Sequence, residues 1–400
     1  MELTTFLDQY QVMRRKERHR IGLFLMDVIS QADATHKSML GAVARMELAL
    51  NLIDTRQNNS LNKAEELLQQ AEFLLKKGRA TTSQEGYLSY CRGMLKFECS
   101  DMANALLHLQ NAYIEYTDDL LYQAIVDDGM GKYYAEIGDF QKSLFHFERA
   151  LINRTDSHDE HSSGISYKNL GRLQLRFNNF TVAEEYFQQA LQIALIYEDE
   201  LLRLQSLIGL EEVALATGRF QDSKTLISDA LAIVHSPIDD YRIAFLYRDL
   251  AEALLGNGEV EESVKCLESE VMPRFKTLEG KRGLAIAKRV KGRIKLYRLI
   301  HNIDEVTENA IESTQDVLLD AAMVFEQQGM TQEYAKTLYD LAGLYSLCSN
   351  HSTLFFQYQG KMVRSLELAL SVLEQFEVGN DHLITEIEHA LNRAMSGVIP

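Results

Sequence analysis

Four hundred residues, 46% of them hydrophobic, supply enough apolar side chains for a continuous core, and only three prolines interrupt a helix-rich composition. The formal charge of −17 argues against general nucleic-acid binding, because a phosphate backbone calls for a basic surface. No run of apolar residues is long enough to cross a membrane as a helix.

The chain begins with a basic run, Arg14, Arg15, Lys16, Arg18 and Arg20, followed by the apolar stretch from Ile21 to Met26. That stretch is too short for a secretory leader and Asp27 interrupts it. An amphipathic helix with its cations in solvent is predicted, in a cytoplasmic protein. A first helix near 34–52 precedes a second marked by Ala64, Leu68 and Ala71. Gly93, Ala105, Leu109 and Ala112 mark the next pair.

From Gly131 onward the pattern repeats every 40 residues, with anchors at Gly131, Gly171, Glu211 and Ala251. Twelve residues after each comes a small residue: Ser143, Ala183, Ser223, Ser263. Sixteen after comes a large apolar one: Phe147, Phe187, Ile227, Leu267. Nineteen after come Ala150, Ala190 and Ala230, and then Glu270, where the pattern fails. Tyr167, Leu170, Gly171 and Leu175 share one face of a helix, and Ala183, Phe187, Ala190 and Leu191 one face of another, with Asn178-Asn179 as the turn. Such helices are too short and one-sided to stand alone, so stacking must bury them. Gly171 and Ala183 are predicted to let the pair approach closely while Phe187 fills the space beside them.

Towards the C-terminus the copies degenerate. Gly292 anchors a unit whose second helix, near 305–328, is unusually long. Leu341, Ala342 and Tyr345 mark another first helix, followed by 360–376, and an amphipathic segment at 383–394 can cap the stack. The expected division is 1–83 for N-terminal helices with a degenerate repeat, 84–270 for the clear array, and 271–400 for degenerate repeats and the cap.

These residues resemble the tetratricopeptide repeat, whose pattern places an aromatic, Leu-Gly, Ala, Phe and Ala where this chain has Tyr167, Leu170-Gly171, Ala183, Phe187 and Ala190. Gln174 departs from the family's tyrosine, and the period of 40 is longer than the usual 34. The longer period is similar to a variant found in cell-polarity scaffolds and bacterial regulators. The resemblance implies an all-α, right-handed α-solenoid of helix-turn-helix repeats whose first helices line a concave groove for extended peptides. It places Lys132, Lys168, Arg172, Arg248, Arg289 and Arg293 on that groove, interrupted by Asp128, Glu212 and Glu252. Tyr87, Tyr90, Met94 and Phe97 form an aromatic and apolar strip at its N-terminal end.

One segment departs from the acidic average. Between Met272 and His301 lie ten Lys or Arg residues and a single acid, Glu279. Two readings stand: a helix that neutralises acidic neighbours in the stack, or a docking site for an anionic group or acidic peptide. No catalytic constellation or phosphate loop is visible. Gly129-Met-Gly131 is packing glycine, and no cofactor or enzyme activity is expected. His158-Asp-Glu-His161 lacks zinc spacing and reads as a solvated loop, so no metal is expected. Cys91, Cys99, Cys266 and Cys348 are scattered and read as reduced thiols. The expected function is a non-enzymatic scaffold or adaptor in bacterial signalling, binding a protein or peptide, acidic or extended, in its groove. The alternative is the regulatory region of a signalling enzyme such as a nucleotide cyclase, or a peptide-responsive regulator resembling the Rap group. Edge repeats and the long helix near 305–328 offer surfaces for self-association.

Overall fold

The computed structural model describes residues 1–55, 59–78, 80–115, 119–236, 239–278, 280–349, 355–374 and 381–396, and among them every regular element is helical. No helix among these residues is long and apolar enough to cross a membrane. The chain forms two compact units. Unit 1 holds Met1–Leu175, Asn179–Val213 and Ala232–Tyr241, and unit 2 holds Arg176–Asn178, Ala214–Leu231 and Arg242–Pro400.

Unit 1 starts with α1 (Leu3–Lys16), a 3-10 turn at Arg18–Arg20, and α2 (Ile21–Ala34). Repeats follow as helix pairs: α3 (Ser38–Thr55) with α4 (Ser60–Gly78), α5 (Thr82–Glu98) with α6 (Met102–Glu115), and α7 (Leu120–Ile137) with α8 (Phe140–Asp156). Then come α9 (Glu160–Arg176), α10 (Phe180–Ile196), and α11 (Glu200–Ala216), which unit 1 holds as far as Val213.

The recurring residues have distinct tasks. A Cβ on Gly131 would lie 2.5 Å from the Phe147 ring, and one on Gly171 would lie 2.9 Å from Phe187. At these two positions the anchor is therefore small because the large residue sixteen positions later occupies its side-chain space. The small residue at twelve closes the pair from the other side: Ser143 is fully buried and its hydroxyl donates to the Gly131 carbonyl at 2.8 Å. Ser263 does the same to Ala251 at 2.7 Å. A buried hydroxyl needs such a partner, and a carbonyl on the preceding helix is within reach. The period also appears in the backbone. Gly138, Asn178, Gly218 and Gly258 are all left-handed, with φ of 91°, 58°, 72° and 82°. They end a first helix, as glycine and asparagine do at this position.

Unit 2 contains α12 (Phe220–Leu231), α13 (Asp240–Gly256) from Arg242 onward, α14 (Val260–Cys266), a π-helical segment at Leu267–Val271, and α15 (Met272–Leu278). Beyond lie α16 (Gly280–Ile300), α17 (Glu308–Gln327), α18 (Thr331–Ser349), α19 (Phe355–Glu374) and α20 (Asp381–Ser396). The π segment explains why the pattern fails at Glu270. A π turn takes one extra residue, so the buried residue after Leu267 is Val271 (0% exposed), and Glu270 turns outward to Arg274 at 2.6 Å. Pro273 follows two residues on, and a proline cannot donate to the preceding turn. The long second helix expected near 305–328 is α17. The last residues of the helix expected at 360–376 lie outside the described residues.

Candidate ligand-binding face

In unit 1 the first helices curve round an inner face. Lys168 on α9 is acted on by Asp54 at the end of α3, although five helices separate them in the chain. Lys132 on α7 acts on it more strongly and repels it. Both lysines are half-buried, and among the described residues neither has a hydrogen-bond or ion-pair partner. Asp128 is the other carboxylate acting on Lys168, but its oxygens are already taken. Arg154 Nη2 donates to one at 2.6 Å and Asn169 Nδ2 to the other at 2.7 Å.

Burial, reinforced by Lys132, pulls the Lys168 ammonium down to about 7 from an ordinary 10.5. Below that pH Lys168 is charged in both folded and unfolded chains, and folding bears the full cost of desolvating it. As pH rises the folded chain gives up the proton first, and the cost fades until the unfolded lysine also deprotonates near 10.5. Lys168→Met is therefore expected to stabilise the protein most below about pH 7, with the advantage shrinking towards about pH 10. Urea midpoints of variant and parent at the two ends of that window check this.

The other expected groove residues have different surroundings. Arg172 is exposed and pairs with Glu212, forty residues on. Arg248 pairs with its neighbour Asp249, Nε to Oδ1 at 2.8 Å, and lies over the Phe245 ring at 4.7 Å. Arg289 donates to Asp340 at 2.9 Å and to Glu333 at 3.1 Å. Arg293 pairs with Glu252 and approaches Asp340 at 3.6 Å. Burial would raise Glu333, but Lys336, Arg289 and Arg248 together pull it down to about 2. Much of the basic segment is thus matched by acids from α13, α17 and α18, including Lys288 on Asp320 at 3.1 Å. Of the two readings of that segment, the ion pairs favour internal neutralisation.

The aromatic end is also engaged. Tyr90 is buried, and the Tyr87 hydroxyl donates to Glu47 of α3 at 2.7 Å. Tyr10 from α1 bonds the same carboxylate, and burial pushes both Tyr10 and Tyr87 well above the usual phenol range. Tyr87 stacks on Tyr90 with centroids 6.1 Å apart and meets Tyr122 edge-on at 6.2 Å. Glu47, Tyr10 and Asp54 belong to this face without any periodic signal in the sequence, because they come from α1 and from a degenerate repeat. His161 is not in a solvated loop: it sits in the first turn of α9, 2.9 Å from Asp199. Among the described residues no cluster suited to a metal ion occurs.

First helices that present an inner face, backed by second helices, make a helical-repeat scaffold. Residues 122–196 match the family model described as tetratricopeptide repeat, and the chain has the tetratricopeptide-like helical solenoid fold. The apo quorum sensor NprR from B. thuringiensis is 14% identical with a TM-score of 0.61, over 92% of this chain and 98% of that one. A Rap protein complexed with competence and sporulation factor is 12% identical with a TM-score of 0.57, over 89% and 98%. The apo form of RapI is 14% identical with a TM-score of 0.57, over 73% and 99%. No curated protein sequence matches.

Proposed function

We propose that this protein is a peptide-binding regulator that works as an adaptor, without chemistry of its own, by holding an extended segment along the inner face of unit 1. The observation that carries the reading is the pair Lys132 and Lys168: two half-buried ammonium groups that have no partner among the described residues, on a face where Arg172 is matched. A ligand carboxylate placed between them would restore the charge balance and offset the cost of burying them. The ligand is accordingly an acidic peptide or an acidic stretch of a partner protein. Structures of the same fold have been solved with competence and sporulation factor and with the cognate peptide NprX, which supports a peptide as the ligand class. The setting is cytoplasmic, and the four cysteines are unbridged as a reducing compartment would leave them.

The test uses a fluorescein-labelled peptide rich in aspartate. Lys132→Glu combined with Lys168→Glu is expected to weaken its binding by roughly 30-fold or more, the range for losing a desolvated charge pair. Circular dichroism and the urea midpoint establish that the variant is folded. Unchanged affinity in a folded variant rules out this face as the acidic-ligand site.

A further inference from the structure

The N-terminal basic run was expected to face solvent, and Arg14, Lys16 and Arg20 are indeed exposed. It is nevertheless docked. α1 and α2 form a helix hairpin whose base is tied to the start of α3, with Glu2 on Lys37 at 2.5 Å and the Met1 carbonyl accepting from Lys37 at 3.1 Å. The hairpin packs through Phe6, which is fully buried and stacks on Tyr10 at 5.8 Å and on Phe24 at 6.1 Å. Its tip lies far along unit 1. Lys16 pairs with Glu198 in the α10–α11 turn, and the His19 ring lies 4.8 Å from that of His235. Arg14 is acted on by Glu47 and Tyr87 near the base and by Asp199 at the start of α11. A helix of 14 residues spans about 21 Å, so α1 reaches from α3 and α5 to α11 without following the intervening repeats.

We propose that the α1–α2 hairpin is a clasp over the inner face of unit 1, hinged at its buried base and latched at its tip, and that the latch opens for a ligand segment to enter. The two ends differ in strength. The base rests on Phe6 and on Tyr10, which is 4% exposed, and both are held by packing. The Lys16–Glu198 latch has side chains 52% and 68% exposed, and exposed ion pairs hold weakly. The clasp also explains why the Tyr87 and Tyr90 strip is closed: Tyr10 and Tyr87 share Glu47.

This inference rests on the inner face being the ligand site, and the experiment separates the two. Lys16→Glu sets like charges together at the latch. Hydrogen exchange in residues 14–20 is expected to quicken up to about fivefold, the scale of one exposed ion pair, and association of the aspartate-rich probe to quicken by the same factor. The charge change alone would slow an acidic probe, so faster association reports the clasp. Lys16→Glu with Glu198→Lys is expected to restore both rates. A second arm locks the latch with Lys16→Cys and Glu198→Cys joined by a short bis-maleimide. Cys99, the exposed native thiol, is replaced by serine; the other three are buried. The bridged protein is expected to take up the probe several-fold more slowly. Exchange that does not change in Lys16→Glu, or a bridged protein that binds at the unbridged rate, overturns the clasp. A parent protein that fails to bind the probe overturns the ligand site instead, while the exchange data still decide whether the tip opens.

Discussion

Phe187→Ala is expected to lower stability by about 3–5 kcal/mol, the range for removing a fully enclosed aromatic ring. The ring is 0% exposed and sits between two glycines. A Cβ on Gly171 would lie 2.9 Å from it, and one on Gly209 would lie 2.4 Å from it. Both α9 and α11 have given up side-chain volume to admit this one ring from α10, so no neighbouring side chain is placed to refill the space. The cavity would also loosen the contact between successive repeats, and in a stack that contact carries much of the cooperativity. Gly209→Ala examines the same fit from the other side. Its added methyl must push the ring, at about 1–3 kcal/mol. Urea denaturation followed by circular dichroism measures both. A loss below about 1 kcal/mol for Phe187→Ala would mean that the helices close up without the ring.

Asp128→Ala is expected to cost about 3–5 kcal/mol, for a different reason. Asp128 on α7 accepts from Arg154 on α8 and from Asn169 on α9, and Arg154 also donates to Ser166. One carboxylate therefore ties three consecutive helices. Arg154 is 3% exposed, so removing Asp128 leaves a buried guanidinium with a hydroxyl in place of its counter-charge. The effect extends to the ligand face. Asp128 is the carboxylate on α7 that supports the charged form of Lys168, so its removal should also pull the Lys168 ammonium lower and weaken binding of an acidic peptide at neutral pH. Asp128→Ala with Arg154→Met should recover much of the stability, since an apolar side chain of similar length needs no counter-charge. If the single variant is as stable as the parent, the three helices are not held through this carboxylate.

The helix pairs were legible because their signal is periodic. Gly131 with Phe147, and Gly171 with Phe187, follow from one spacing rule, and the structure gives each the close approach that the rule implies. The inner face was legible only as a list of positions. A register can say that Lys168 and Arg289 occupy similar places on their helices, but not that Glu333 and Asp340 lie against one while the other stands unmatched. Pairing of charges depends on residues from distant helices, and these have no fixed offset in the chain. The clasp was invisible for the same reason. Arg14 to Arg20 read as a solvated charge run, and the acids that receive its tip, Glu198 and Asp199, lie at the turn before α11. The expected tripartite division follows the clarity of the repeats, whereas compactness sorts the chain into two interleaved units, with α11 shared between them after Val213.

The π segment at Leu267–Val271 has a consequence for how positions along this chain correspond. A 40-residue ruler that steps correctly through Gly131, Gly171, Glu211 and Ala251 lands next on Lys291, which is exposed. The true equivalent is Gly292, where a Cβ would lie 2.4 Å from Leu318. The single wide turn takes up the additional residue and returns the following helices to the stacking phase of those before it. A one-residue offset would otherwise rotate every later side chain by about 100° about its helix axis. Any attempt to graft binding residues from an early repeat onto a late one must therefore add one at this turn.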